Sequence, residues 1–257
     1  MGLRFALRRL LAAILLVCGI AIPAHASTVL DLGNTSGQAN LGTTGPYGNV
    51  RSYALTIAGQ VVNVEATGWR LSGSTVTNAF LGAYSGWGLG VTNRSEGGSS
   101  PGHAVDDSNG LDFIALQFDQ DVILTQLGLK AVSSYDTDAS IYFGNAPGAF
   151  GSGLGLHNTN VSVLNAMLDG GFTSLGGTSS RTAIFNAGNQ ASNLWIVTPY
   201  TGDGSSKTDL FKLRSALIAL PQPPPVPEPA TWVMMLLGFF ATGAAMRHRP
   251  IRALTVA

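Results

Sequence analysis

Alternating polar and apolar residues dominate the middle of this 257-residue chain. In residues 122–129, the alternate positions Ile123, Leu127 and Leu129 fall on one face, as in a half-buried β-strand. The segment Phe211-Lys212-Leu213-Arg214 alternates in the same way, with its charged side chains on the outer face. Further β-rich runs cover residues 50–57, 60–69, 75–84, 111–118, 140–143, 181–185 and 193–198.

Turn-forming clusters such as residues 107–110, 145–148 and 201–204 separate these runs, and residues 161–168 predict a short helix. Many short strands joined by glycine-rich turns favour an all-β domain, an antiparallel β-sandwich or jelly roll, over residues 27–220. We find no repeat of 20 to 50 residues in the sequence, which argues against a propeller or a β-solenoid.

The N-terminus has the pattern of a secretory signal peptide over residues 1–26. Three arginines precede an uncharged run, residues 10–23, and Ala24-His25-Ala26 follows it. This pattern predicts export through the Sec translocon and cleavage by signal peptidase after Ala26. An N-terminal membrane anchor is the alternative, but the run is shorter than the ~20 residues of a spanning helix.

The C-terminus carries a second apolar segment. A proline-rich linker, residues 221–229, precedes an uncharged run that ends at Arg247-His248-Arg249. This order predicts a single transmembrane helix within residues 230–249, with Trp232 at one interface and Arg247 and Arg249 as the stop-transfer signal. Residues 250–257 would then form a short cytoplasmic tail.

This tail resembles the PEP-CTERM sorting signal of Gram-negative bacteria. The resemblance rests on the apolar helix, the basic stop and the motif Val226-Pro227-Glu228-Pro229-Ala230-Thr231-Trp232. It implies recognition and cleavage by exosortase, an inner-membrane intermediate, and final placement at the cell surface or in the extracellular matrix. The alternative is an ordinary single-pass anchor on a proline-rich stalk.

Charge excludes one class of partner for the exported part. Between Ser27 and Val226, eight basic residues stand against thirteen acidic ones, a net charge near −5. The sequence contains no basic patch that could neutralise phosphates, so we expect no nucleic-acid binding. The only cysteine, Cys18, lies within the predicted signal peptide, so the mature domain folds without a disulfide.

The mature sequence lacks the usual catalytic patterns. It retains two histidines, His103 and His157, and has neither an H-E-x-x-H nor a G-x-S-x-G motif. We therefore expect no catalytic residues and a non-enzymatic protein. A secreted hydrolase that uses a pair of carboxylates remains an alternative.

The densest acidic segment, residues 103–112, could supply hard oxygen ligands for Ca²⁺. The candidate ligands are Asp106, Asp107, Asn109 and Asp112, and Asp136 with Asp138 or Asp119 with Asp121 could add to them. The spacing is not that of an EF-hand. An Asx-rich turn that caps its own amides is the favoured interpretation, so no cofactor is assigned and calcium stays open.

Aromatic residues raise a second functional hypothesis, a carbohydrate-binding module of the jelly-roll type. The rings of Trp69, Tyr84 and Trp87 could stack on sugars if they are exposed, for example on exopolysaccharide. Trp195 lies within an apolar run and is expected in the core. The glycine clusters at residues 86–90 and 151–155 are interpreted as turns, because no predicted helix follows them to hold a phosphate.

Residues 86–96, 102–106 and 111–119 together resemble the N-terminal region of exosortase-dependent surface proteins, and residues 193–197 and 209–213 fit the end of that pattern. This resemblance implies a surface protein and does not name a ligand. For the exported domain we expect an association with biofilm or exopolysaccharide.

Overall fold

The computed structural model describes residues 26–33, 50–93, 95–96, 102–202, 208–222 and 229–247. The chain divides into two compact units, residues 1–221 and 222–257. Within the described ranges the first unit contains one short helix, α1 (Val161–Asn165), and the second contains α2 (Pro229–Arg247). The strands of the first unit are β1 (Ser27–Asp31), β2 (Val50–Ile57), β3 (Gln60–Ser72), β4 (Thr75–Asn78), β5 (Phe80–Tyr84), β6 (Gly88–Thr92), β7 (Val105–Asp106), β8 (Leu111–Ala131), β9 (Ala139–Gly144), β10 (Thr159–Asn160), β11 (Leu168–Ser174), β12 (Arg181–Ile184), β13 (Ala191–Pro199) and β14 (Leu210–Ala219).

The long strand β8 organises the sheet. Its first half pairs with β3 and β13, and its second half pairs with β12 and β14. The pairing with β3 ends at Phe118 and the pairing with β14 begins at Ile123. Residues 119–122, of which Asp119 and Asp121 are exposed, therefore separate the two halves of β8. All fourteen described strands therefore form one continuous antiparallel sheet that curls at β8.

The main core lies between the two halves of the curled sheet. Leu116 and Phe118 from the first half of β8 share one apolar cluster with Leu127 and Leu129 from the second half. Trp195 of β13 is fully buried in the same cluster, as expected from its apolar run. Because side chains of a strand alternate between faces, this shared cluster requires the two halves to face each other.

A second cluster covers the opposite face of the first half. Phe113 and Ala115 point away from the main core and pack with Trp69, Leu154 and Leu164. The last two come from the connection between β9 and β11, which carries α1. The Asn160 side chain caps that helix by accepting a hydrogen bond of 3.0 Å from the Ser162 amide.

The prediction of an all-β antiparallel fold is confirmed. The structure differs from it in detail, because the predicted runs 111–118 and 122–129 join into β8 and the run 75–84 divides into β4 and β5. The two layers of the expected sandwich are consequently one sheet. The predicted helix over residues 161–168 is shorter, since β11 begins at Leu168.

The second unit is described through α2, which begins one residue before the predicted segment 230–249 and ends inside it, at Arg247. No helix in the described part of the chain is both long enough and apolar enough to cross a membrane, so the predicted transmembrane helix is not confirmed. Several sequence predictions fall outside the described residues, namely those for residues 1–25 with Ala24, for Val226, Pro227 and Glu228, and for Arg249 and the tail 250–257.

Candidate functional site

An aromatic cleft lies where the β5–β6 hairpin meets β14. Its cavity of about 170 Å³ is lined by Tyr84, Trp87, His103, Val132 and Lys212, and we call it the Tyr84 cleft. Gly86 and Gly88 flank Trp87 with φ of +73° and +112°, a backbone conformation that favours glycine. The tight turn that they form places Trp87 at the rim, with 46% of its surface exposed.

A buried lysine forms the floor of this cleft. The Lys212 Nζ lies 3.6 Å from the centroid of the Tyr84 ring and 2.9 Å from His103 Nδ1, and it donates a hydrogen bond to the His103 carbonyl. The rings of Tyr84 and His103 lie 4.7 Å apart, centroid to centroid. At the rim, Lys130 Nζ lies 5.2 Å from the Trp87 ring centroid. The cleft thus combines two aromatic rings with two amines.

Burial shifts the titration of the groups in the cleft. Burial lowers the pKa of Lys212 to about 8. Burial and the charge of Lys212 lower the pKa of His103, and burial raises the pKa of Tyr84. At neutral pH the cleft therefore presents a lysine cation beside a neutral imidazole and a neutral phenol.

The structure separates the three predicted glycan-contact residues. Tyr84 and Trp87 meet in the Tyr84 cleft, whereas Trp69 is only 6% exposed. The Trp69 ring stacks on Phe113 at 6.4 Å between centroids, and its Nε1 donates to Thr67 Oγ1 at 2.7 Å. Trp69 therefore belongs to the second apolar cluster and does not present an open face to a sugar.

Three carboxylates meet beside the start of β8. Glu96, Asp106 and Asp112, which we call the acidic triad, each place one oxygen within 4.8 Å of the other two. Asp112 is fully buried and Asp106 is 1% exposed. The triad draws its members from the segment after β6, from β7 and from the second residue of β8, so it depends on the tertiary fold.

Hydrogen bonds satisfy only part of the triad. The Asn93 side chain donates to Asp112 Oδ1 at 3.2 Å, and the Asn93 amide donates to Glu96 Oε2 at 3.1 Å. The amide and hydroxyl of Ser108 donate to Asp106 Oδ1 at 2.9 and 2.6 Å. Asp112 Oδ2 and Glu96 Oε1 are buried and accept no hydrogen bond from the described residues.

Electrostatics in the triad disfavour ionisation. Burial, followed by the charges of Glu96 and Asp106, raises the pKa of Asp112 to about 9. Burial also raises the pKa of Glu96. Three ionised carboxylates at this spacing repel one another, so the site favours either a proton or a cation.

The sequence prediction of calcium ligands overlaps this triad in two residues. Asp106 and Asp112 are brought together, whereas Asp107 is not among the carboxylates of this group and Asn109 lies in the turn before β8. The bond from the Ser108 amide to Asp106 is the Asx turn that the sequence favoured. Glu96 was missed as a ligand because it lies ten positions before Asp106, and no local spacing connects the two.

A second acidic group contains Asp136, Asp138 and Asp209, again with one oxygen each within 4.8 Å. Here the backbone amides of Thr137 and Gly176 donate to Asp136 and Asp138. The nearby Arg181 is held by Thr137 and Ser174, and the charges of Asp138 and Asp136 act to raise its pKa against the larger lowering by burial. Asp119 joins neither group and accepts two hydrogen bonds from Asn63.

Comparison with protein families identifies a known motif in the C-terminal unit. Residues 225–249 match the family described as the PEP-CTERM protein-sorting motif. The chain carries a PEP-CTERM sorting signal. No curated protein matches the chain.

The PEP-CTERM match confirms the resemblance drawn from the tail, and it makes exosortase the processing partner of an exported protein. It covers about a tenth of the chain and assigns no activity to the β-sheet unit. The helix of the motif, α2, begins at Pro229, a residue well suited to a first helical turn, and ends at Arg247. Trp232, Leu236 and Phe240 are among its exposed apolar side chains.

Proposed function

We propose that this protein is an exported, non-enzymatic component of the cell surface or of the extracellular exopolysaccharide matrix, freed from its C-terminal unit by exosortase. The observation that carries this proposal is the PEP-CTERM motif at residues 225–249, directly after a compact β-sheet unit that ends at residue 221. This order is expected for an exported domain that is followed by a removable sorting signal. The signal-peptide pattern of residues 1–26 supports the proposed export.

Both histidines of the mature chain have structural bonds, which supports a non-enzymatic role. His103 Nδ1 lies 2.9 Å from Lys212 Nζ, and His157 Nδ1 accepts a bond of 3.3 Å from the Asn78 amide. The side chain of His103 contacts Lys212 and Tyr84, and no hydrogen bond to a described residue holds it against a serine hydroxyl, as a nucleophile and base pair would require. The mature sequence offers no cysteine as an alternative nucleophile.

Replacing Glu228 with alanine in the native host tests the sorting step. We expect Glu228→Ala to stay in the membrane fraction with its tail, because the change removes the acid of the Pro-Glu-Pro motif. Intact mass should show the wild-type protein starting at Ser27 and ending near that motif. The matched control is Gln222→Ala, which lies in the same linker outside the motif and should be processed normally. Wild-type processing of Glu228→Ala would reject the proposal.

The Tyr84 cleft favours a second function, binding of carbohydrate by the β-sheet unit. Trp87 exposes 46% of its surface beside Tyr84. Lys130 at the rim and Lys212 on the floor add positive charge, which suits a sugar that carries carboxylate groups. Aromatic stacking with polar groups at the edge is a common arrangement for sugar recognition.

A binding assay with the purified exopolysaccharide of the host tests this second function. We expect Trp87→Ala to weaken binding roughly tenfold, since it removes the exposed stacking ring. Phe150→Ala is the control, because Phe150 is also exposed, at 37%, and does not line the cleft. Equal binding by both variants, or no binding by the wild type, would exclude the cleft as a carbohydrate site.

A further inference from the structure

The acidic triad concentrates negative charge where the described residues provide no ion pair. The ion pair found in the described part of the chain joins Arg214 and Asp31, away from the triad in sequence and on other strands. Arg70 faces Asp112 across the β3–β8 register, yet its Nε makes no hydrogen bond to a described residue. The charge of Arg70 acts to lower the pKa of Asp112 and of Glu96, but it is a single positive charge beside three carboxylates, so the triad can still accommodate a bound cation.

The fully buried Asp112 provides an observation separate from the clustering itself. Its Oδ2 is shielded from solvent and accepts no hydrogen bond from the described residues, and the same holds for Glu96 Oε1. Buried carboxylate oxygens are normally bonded, because an unbonded one loses its hydration without replacement. Two such oxygens in one cluster indicate a ligand that accepts lone pairs from both.

We propose that the acidic triad binds one Ca²⁺ ion. Calcium takes oxygen ligands at 2.3–2.6 Å, so two oxygens on the same ion lie at most about 5 Å apart. The oxygens of Glu96, Asp106 and Asp112 meet this limit, since they lie within 4.8 Å of one another. Three carboxylates provide hard, anionic ligands without nitrogen or sulfur, which is the ligand set of Ca²⁺ and not of Zn²⁺.

The position of the triad gives the ion a structural role. Its ligands come from the segment after β6, from β7 and from β8, so one ion links three pieces of chain around the 93–112 connection. Calcium would hold Glu96 and Asp106 against the start of β8. An exported protein meets millimolar calcium, so the weak affinities of extracellular modules, with Kd of about 0.1–1 mM, would suffice.

The second acidic group is a weaker candidate for the ion. Arg181 contributes a positive charge near Asp136 and Asp138, and backbone amides donate to both of these carboxylates. Arg70 also lies near the triad, but it forms no ion pair with it among the described residues, and two oxygens of the triad accept no hydrogen bond from them. Asp138→Asn therefore serves as a test of location.

The experiment uses the full-length protein, freed of metal with excess EDTA and then dialysed. Addition of CaCl₂ should raise its Tm by roughly 5–10 °C once calcium is about 100-fold above Kd. Isothermal titration should give one Ca²⁺ per chain. Asp112→Asn should abolish both signals, whereas Asp138→Asn should keep them. Asp121→Asn is the matched control, because Asp121 is an exposed carboxylate of the same strand, β8, and should respond as the wild type does.

The outcomes separate calcium binding from protonation of the triad. If a proton neutralises the triad, the wild type shows neither a Tm shift nor a binding heat with CaCl₂, and the proposal is rejected. It is also rejected if Asp112→Asn responds as the wild type does, or if MgCl₂ at equal ionic strength gives the same shift. If Asp112→Asn fails to fold, Glu96→Gln replaces it, with an expected loss of affinity of about tenfold or more. The sorting proposal is independent of all these outcomes.

Discussion

The surroundings of Lys212 act on the pKa of its amine in opposite directions. The side chain is 3% exposed, yet its amine contacts the Tyr84 ring and the His103 carbonyl, which both favour the charged form. Burial outweighs these contacts and lowers its pKa to about 8, well below the usual lysine value of 10.5. The alternating sequence Phe211-Lys212-Leu213-Arg214 predicted an outward-facing lysine, but the structure buries it because the β5–β6 hairpin covers that face.

The lowered pKa predicts a pH-dependent stability. Between pH 8 and pH 10.5 the unfolded chain holds a proton on Lys212 that the folded chain has released, so the contribution of Lys212 to the free energy of unfolding should rise with pH in this window. Relative to Lys212→Met, the wild type should gain roughly 2 kcal/mol from pH 8 to pH 10, since each pH unit over which the unfolded chain binds one more proton adds about 1.4 kcal/mol. Urea unfolding at several pH values measures this difference.

Lys130→Met is the control for this prediction. Lys130 is the partner of Lys212 across the β8–β14 register and is half-buried. The Lys130→Met variant should show the same dependence of stability on pH as the wild type. A constant difference between wild type and Lys212→Met from pH 7 to pH 10 would mean that Lys212 does not change its protonation state on folding.

Among the elements, β6 differs most from its sequence interpretation. The glycine cluster at residues 86–90 was interpreted as a turn, but only its first part is one, because β6 begins at Gly88. The glycines of β6 allow close approach of other backbone segments. A Cβ at Gly90 would overlap the carbonyl oxygen of His103, and the Lys212 amine would lie 2.7 Å from it. Small residues here let the His103 segment pack directly on the strand.

Gly90→Ala should therefore destabilise the β-sheet unit. We expect a loss of about 1–3 kcal/mol in the free energy of unfolding, because the added methyl group meets backbone that cannot rotate away. Gly177→Ala is the control, since a Cβ there meets no atom within 4 Å, and it should change stability by less than about 0.5 kcal/mol. The midpoint of urea unfolding, at an unchanged slope, measures both effects. Equal midpoints would show that the segment at His103 yields to the methyl group.

At the scale of the whole molecule, the β-sheet unit and the sorting motif occupy separate segments of the chain. The β-sheet unit ends at residue 221, and the PEP-CTERM motif begins at residue 225. The first described strand of this unit pairs with its last, since Ser27 of β1 lies opposite Ala219 of β14. Cleavage near the Pro-Glu-Pro segment would therefore remove no strand. The Glu228→Ala experiment tests this organisation, because it changes processing without touching the sheet.

The sequence by itself determined the features that are local along the chain. The sorting signal is a contiguous stretch of residues whose order defines the motif. It could therefore be recognised from the sequence without knowledge of the fold. Strand-forming alternation is likewise local, because its period of two belongs to the extended backbone. Both predictions are confirmed, the first at residues 225–249 and the second in the antiparallel sheet.

The tertiary structure alone decided which residues meet. Glu96 joins Asp106 and Asp112 only because β6, β7 and β8 are brought together, and no spacing in the sequence encodes that contact. Trp69 and Trp87 are the same residue type, yet one is buried against Phe113 and the other stands at the rim of a cleft. Which face of a strand is covered depends on the elements that pack on it, and those elements lie far away in the chain.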